Sequence, residues 1–308
     1  MKNKIYIGIW LLCMVVLDQV FGLTMSKLAP LQKQDTRIQK IINHEINSDI
    51  IILGSSRALN NYSPQALQKG TGKTCYNLGF SGSNVIFHEE ILKLVLSKSK
   101  KPELIVYNID DAGTLFTNEG ISFRFDILYP FVENNDVNSI VCEQNKKALW
   151  ATYLCRTYRH NVNFVNAVRY LLNGKEDLDI MVSNIDSMGA NLIPVGASKA
   201  KASFLKTRIL PEAQDLNMDY INSFVNIQKI CAANNVKLVV CFPPLLMKPM
   251  QGFENRIKKL LLPSTYSFSF SSRFTQNPEL FLNPDHLNCD GAFVFSDSLS
   301  VQLIPILK

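Results

Sequence analysis

The chain has 308 residues, of which 47% are hydrophobic and 19% charged, and its net charge is +6. That is enough apolar material for one sizeable core with appendages, and too much for a disordered chain. The positive charge is dispersed, with no basic stripe and interleaved aromatics to receive nucleic acid. The densest run, Lys98-Ser99-Lys100-Lys101, closes a predicted helix, where cations suit the macrodipole.

Met1-Lys2-Asn3-Lys4 leads into an apolar stretch, Ile5 through Leu23, long enough to span a bilayer as a helix and interrupted near its far end by Asp18. The lysine-bearing leader favours a cytoplasmic N-terminus with the remainder exported to an extracytoplasmic, periplasmic space, although Lys27, Lys33 and Arg37 follow on the other side. No small-x-small cleavage site follows the apolar core. Residues 1–24 therefore read as an uncleaved single-pass anchor, with a cleaved signal peptide as the rival. Cys13 lacks the small residues that precede a lipidated cysteine. Residues 25–48, polar with Leu28, Leu31, Ile38, Ile41 and Ile42 as apolar punctuation, read as a juxtamembrane helix or stalk. Seven cysteines make no disulfide scaffold in a chain this long. Cys241 ends an apolar strand; Cys142 and Cys155 either bridge within an exported domain or stay free thiols.

A third segment, residues 49–308, carries the α/β rhythm. Ile50–Leu53 is a continuous apolar run, as expected of a strand covered on both faces, and it ends in a Gly54-Ser55-Ser56 turn. Ser63-Pro64 opens a short helix, with serine as N-cap and proline at the first helical position. Strand Thr74–Leu78, the glycine-bearing loop Gly79 to Asn84, helix Val85–Ser97 and strand Leu104–Ile109 follow. This succession spells a parallel sheet with crossover helices. From about 112 to 215 the rhythm breaks into aromatics, Asn-rich turns and short helical stretches, which reads as an insertion serving as a lid or partner surface. It resumes with helix Met218–Asn234, strand Lys237–Phe242, helix Phe253–Leu262, a short strand Tyr266–Phe270, a loop holding His286 and helix Gly291–Leu303.

Two of these segments carry chemistry. A strand that ends in Gly54-Ser55-Ser56-Arg57 lifts a serine hydroxyl out at the carboxyl edge of the sheet, where open α/β folds build their sites. Asn283-Pro284-Asp285-His286-Leu287-Asn288, about 230 residues on, offers an imidazole beside a carboxylate. Serine needs such a base, because its hydroxyl is a poor nucleophile at neutral pH. Other groupings are weaker. Gly70-Thr71-Gly72-Lys73-Thr74 mimics a phosphate loop but precedes a strand instead of opening a helix. No CxxC, HxxxH or HExxH spacing offers a metal site, and no cofactor motif is present. His88, early in the helix after the Gly82 loop, reads as exposed packing that lies near the site.

In this order, the segments resemble the SGNH (GDSL-type) hydrolase superfamily, in its membrane-anchored bacterial branch linked to acylation of cell-surface polysaccharides. The resemblance covers about 49–110 and 217–308. It implies a three-layer α/β/α domain with a flavodoxin-like parallel sheet behind the N-terminal transmembrane helix. It also implies Ser56 as nucleophile, with Ser55 in place of the family's aspartate. Gly82, in Asn77-Leu78-Gly79-Phe80-Ser81-Gly82, matches the glycine whose N–H helps form the oxyanion hole, with Asn84 beside it for substrate. Arg57, which follows Ser56, either binds an anionic substrate group or forms a structural ion pair. The family's oxyanion asparagine falls at Asp110 or Asp111, where a carboxylate would repel the developing charge; Asn108 lies two residues early. His286 matches the family base. The acid three residues before it is replaced by Asn283, so either Asp285 or Asn283 orients the imidazole, and an Asp285-assisted triad is the expectation.

The resemblance thus implies a membrane-anchored serine esterase or O-acyltransferase acting on acyl esters, acetyl above all, of a cell-envelope glycan or on small esters. A multi-span membrane O-acyltransferase is the partner it implies. Asp110 and Asn283 favour a rival of another class, an impaired accessory protein that binds a glycan or that membrane partner on the same scaffold.

Overall fold

The computed structural model describes residues 2–28, 35–110, 115–116, 120–160, 185–195, 216–246 and 252–308. Asp111, part of the expected stalk and the rest of the expected insertion lie outside them. The chain divides into two compact units, one built from residues 1–42 and 124–184, the other from 43–123 and 185–308.

The second unit is an α/β fold around a five-stranded, all-parallel sheet: β1 (Ile50–Gly54), β2 (Cys75–Gly79), β3 (Leu104–Asn108), β4 (Lys237–Phe242) and β5 (Thr265–Ser269). Their spatial order, β2-β1-β3-β4-β5, is that of flavodoxin-like doubly wound sheets, in which the connection reverses beside β1. Every residue of β1, β2 and β3 is buried, so alternation vanishes; β1 reads as an unbroken apolar run, while β2 carries buried Asn77 and β3 ends on buried Asn108.

Helices cover both faces. Ile50, Ile52, Leu104, Val106, Val239 and Cys241 point into one core with Phe295, Leu299 and Leu303 of the C-terminal helix, Cys289–Leu307. On the opposite face Tyr107 packs its ring against Phe224, 6.0 Å away on helix Met218–Ala233, and against His88, 5.7 Å away on helix Val85–Lys98.

The ends of these helices follow their sequence signals. Ser63 caps helix Pro64–Thr71 by accepting from Ala66 N at 3.2 Å, Asn84 caps Val85–Lys98 and Asn288 caps Cys289–Leu307. Helix Phe253–Lys258 stops short of the expected Leu262. Buried Gln228 takes the backbone there, donating to Leu260 O at 3.1 Å and accepting from Leu262 N at 2.8 Å. After β1 the chain does not merely turn. Gly54, with φ of 147°, swings it directly into helix Ser56–Asn61.

The first unit contains the apolar helix α1 (Lys2–Leu28), the short α2 (Arg37–Ile42), α3 (Phe125–Leu128), α4 (Asn135–Leu154) and α5 (Arg156–Arg159). Residues Asn3–Met25 of α1 are long and apolar enough to cross a membrane, and most of their large apolar side chains face outward. Helix α4 kinks at Asn145, whose side chain recaps the following turns by accepting from Ala148 N at 3.0 Å. Cys142 and Cys155 are free thiols, and Cys241 is a buried one.

Candidate active site

The carboxyl ends of β1, β2 and β3 lie side by side, which brings together residues from three loops. Gly54 and Gly79 are register partners, and Phe80 N donates to Gly54 O at 2.9 Å. Helix Ser56–Asn61 lies so close to β2 that a Cβ on Gly79 would sit 2.3 Å from Leu59 N, so only glycine fits.

Ser56 is the first residue of its helix and half-exposed. Its N–H, like those of the next residues, has no acceptor within the helix. On the loop after β2, Gly82 has φ of 69°; its carbonyl accepts from Ser122 N at 2.9 Å, while its own N–H meets no acceptor among the described residues. Ser83 anchors that turn. Its hydroxyl lies 2.5 Å from Phe80 O and 2.7 Å from His88 Nε2, and His88 Nδ1 lies 3.0 Å from Tyr107 OH. His88 is therefore a buried brace behind the loop, contrary to the expected exposed packing, because β3 and the Gly82 loop close over it. Burial pushes its pKa down to about 3.

The base arrives from the loop before the C-terminal helix. His286 Nε2 lies 3.0 Å from Ser56 Oγ, and His286 Nδ1 lies 3.1 Å from Asn283 Oδ1. The same Asn283 oxygen accepts from the backbone N–H groups of Asp285 and His286, each at 2.9 Å. Two N–H donors aimed at one atom identify it as the amide oxygen. Nδ1 must then carry the ring proton, which leaves Nε2 to accept from Ser56. The expected Asp285-assisted triad is not what forms. The Asp285 side chain makes no hydrogen bond to its neighbour's ring, and Asn283, three residues back, occupies the orienting position.

Asn61, at the end of the helix that begins with Ser56, ties the two halves together. Its Oδ1 accepts from Leu287 N at 3.0 Å and its Nδ2 donates to Asp285 O at 3.4 Å. Burial lowers the His286 pKa from its ordinary value, and the Arg57 guanidinium lowers it further; Asp285 and Asp110 pull the other way. The imidazole is thus neutral, and able to accept a proton, at neutral pH.

Asp110 is no oxyanion donor. Its carboxylate, buried beyond β3, pairs with Arg57 Nε at 2.7 Å and accepts from Ser55 Oγ and, at 3.2 Å, from Asn108 Nδ2. The Asn108 oxygen accepts from Tyr62 OH at 3.0 Å, so this asparagine is also committed to the scaffold. Of the two expectations for Arg57, the structure shows the ion pair, with its guanidinium against Asp110. Asn84, expected to help hold substrate or oxyanion, is occupied as a cap. Its Oδ1 accepts from Phe87 N at 3.0 Å and its Nδ2 donates to Tyr220 OH at 3.2 Å. Among the expected site residues, the one bonded to the Ser56 hydroxyl is His286; the N–H of Ser56 lies in the first turn of its helix and that of Gly82 on the loop after β2.

Asn61, Ser83 and Tyr62 are the contributors that sequence reasoning missed. Each acts through a tertiary contact, and only Asn61, beside Asn60 at a helix end, left a local trace. Compared with models of known protein families and with curated proteins, the chain matches none.

Proposed function

We propose that the protein is a serine esterase or O-acyltransferase of SGNH type, anchored by residues 5–23, with its catalytic domain outside the cytoplasm. Its substrate is an acyl ester, acetyl above all, of a cell-envelope polysaccharide. The observation that carries this reading is the Ser56–His286–Asn283 chain, with Oγ to Nε2 at 3.0 Å and Nδ1 to Oδ1 at 3.1 Å. Asparagine is an established third member of such arrays in cysteine proteases, where it holds the imidazole without supplying charge.

In this mechanism Ser56 Oγ attacks the ester carbonyl carbon while His286 Nε2 takes the hydroxyl proton. The tetrahedral oxyanion rests on the N–H groups of Ser56 and Gly82. As the intermediate collapses, the carbon–oxygen bond to the glycan breaks and His286 returns its proton to the departing alkoxide. Water then releases the acyl group from Ser56, or a sugar hydroxyl takes it, with His286 again as base. An O-acyltransferase in the membrane is the partner that this role implies.

One observation favours the accessory reading: Asp110 and Asn108 are both locked into the Arg57–Ser55–Tyr62 network, so neither joins the two backbone N–H groups as a side-chain donor. Acetate release from acetylated oligosaccharides, compared between the native chain and Ser56→Ala, separates the two. Turnover that disappears in the variant supports the enzyme. Native protein that binds acetylated glycan but neither releases acetate nor passes acetyl to an added sugar acceptor supports the accessory role.

A further inference from the structure

Asp18 is an ionisable side chain within an otherwise apolar helix, and it is not left alone. Its carboxylate accepts from Arg156 N at 2.7 Å, from Thr157 N at 2.9 Å, from Thr157 Oγ1 at 2.7 Å and from Cys155 Sγ at 3.3 Å. It thereby caps α5, which has no capping side chain of its own. One turn further along α1, Gly22 lets the Arg156 stem approach so closely that a Cβ there would sit 2.3 Å from Arg156 Cβ. A carboxylate and a small residue, four positions apart, thus lock the corner between α4 and α5 onto α1.

Depth along the helix gives this contact its meaning. If the hydrocarbon layer begins at Ile5, Asp18 lies about 20 Å along a helix rising ~1.5 Å per residue, about 10 Å short of the far edge of a ~30 Å core. The groups that satisfy it must reach the same depth or the layer just above it. The corner is dressed for that place. Trp150 and Leu154, one turn apart on α4, are 59% and 77% exposed, and Tyr158 on α5 is 40% exposed. Lys146 continues the same face one turn earlier, where its ammonium can reach lipid phosphates while its stem lies along the interface. Aromatic rings with a polar edge favour this layer over either water or hydrocarbon.

We propose that the corner 146–158 is an interfacial membrane element, seated on the half of α1 remote from its N-terminus, with Trp150 and Leu154 in contact with lipid. This rests on the anchor reading of α1, and it makes α1 a structural part of its unit, which a cleaved leader would not be. The bilayer, and not a second protein, is the occupant: Asp18 bonds the corner directly to the helix read as crossing it.

The chain has two tryptophans, Trp10 within α1 and Trp150 at the corner, so each of Trp150→Phe and Trp10→Phe leaves one reporter. Full-length variants are reconstituted in phosphatidylcholine–phosphatidylglycerol vesicles brominated either near the carbonyls or near the chain ends. We expect shallow bromines to reduce Trp150 emission by about twofold or more and deep bromines to act much less, as for a side chain ~5–10 Å into the boundary. Trp150 emission that is equal in brominated and plain vesicles overturns the proposal, whether water or another protein surrounds the ring. Trp10 keeps that failure distinct. If bromines at either depth quench Trp10 while Trp150 is untouched, only the corner is wrong; if neither is quenched, the anchor reading has fallen with it.

Discussion

Asn283 is the residue on which the proposed mechanism departs furthest from the family it resembles, and its replacement has two separable effects. Its Oδ1 serves three donors at once: Asp285 N, His286 N and His286 Nδ1. In Asn283→Ala the two backbone donors lose their acceptor, which at about 1 kcal/mol each puts an upper bound of ~2 kcal/mol on the stability cost, less whatever water restores. The imidazole loses the bond that fixes its ring and tautomer. A neutral bond of about 1–1.5 kcal/mol corresponds to roughly a tenfold loss in rate, and ring rotation away from Ser56 extends that to about a hundredfold. Asn283→Asp keeps an acceptor for all three donors and adds a charge that favours the imidazolium, which forms as Ser56 attacks. Charge-assisted bonds are about twice as strong as neutral ones, so turnover should rise about tenfold. The same charge opposes the downward pull of burial and Arg57 on the His286 pKa. The acid limb of the rate profile, which lies below the ordinary histidine range of about 6.5 in the native chain, should therefore move upward in this variant. Hydrolysis of a p-nitrophenyl acyl ester, measured from acid to neutral pH, reads both effects, while thermal melting reports the stability term. Asp285→Asn should change the rate by no more than about twofold, because a half-exposed charge with no bond to the ring is largely screened. Native activity in Asn283→Ala, together with an unmoved acid limb in Asn283→Asp, would refute the reasoning.

Asp110→Ala takes the carboxylate away from the buried Arg57 guanidinium, and denaturant melts should show a loss of up to about 3–5 kcal/mol, against far less for Asp290→Ala. His88 has a folded-state pKa near 3, below its ordinary value, so its contribution is fully present above about pH 6.5 and is lost as pH falls toward 3, at up to ~1.4 kcal/mol per pH unit. The loss of stability between about pH 7 and pH 5 should therefore be shallower in His88→Gln, and an unchanged slope would contradict the buried, neutral assignment. Gly79→Ala forces a methyl against Leu59 N and should lower the melting temperature and displace Ser56 together, read by melting and ester turnover on the same sample.

Much of the fold was legible because burial on both faces removes alternation. Ile50–Leu53 and Leu104–Ile109 could be read as central strands from their composition alone, and the cap Ser63 sits where turn chemistry puts it, whereas the C-terminal helix, expected over Gly291–Leu303, runs from Cys289 to Leu307 with Asn288 as its cap. Helix Ser56–Asn61 was missed since six residues carry little more than one period, and the glycine before it argued for a turn. The early stop of helix Phe253–Lys258 was invisible because Gln228, which claims the Leu260 carbonyl beyond its end, belongs to another helix. At the site, spacing brought Ser56 and His286 to attention. Which neighbour orients the ring is a matter of loop geometry: the tight turn after Pro284 aims Asn283 back at Nδ1 and leaves Asp285 without a bond to the ring. The occupation of Asn84, Arg57 and Asp110 by Tyr220, one another and Ser55 is likewise tertiary, and no local pattern announces it.

The central claim is that Ser56 is a nucleophile activated by His286. A fluorophosphonate, which forms a stable ester only with an activated serine, tests it on the full-length protein, with peptide mass spectrometry to locate the adduct. The account predicts a single adduct on Ser56, its formation strongly slowed in His286→Ala and absent in Ser56→Ala, with melting curves showing all three proteins folded. Folded native protein that takes up no label, or that carries it elsewhere while Ser56 stays unmodified, would contradict the account.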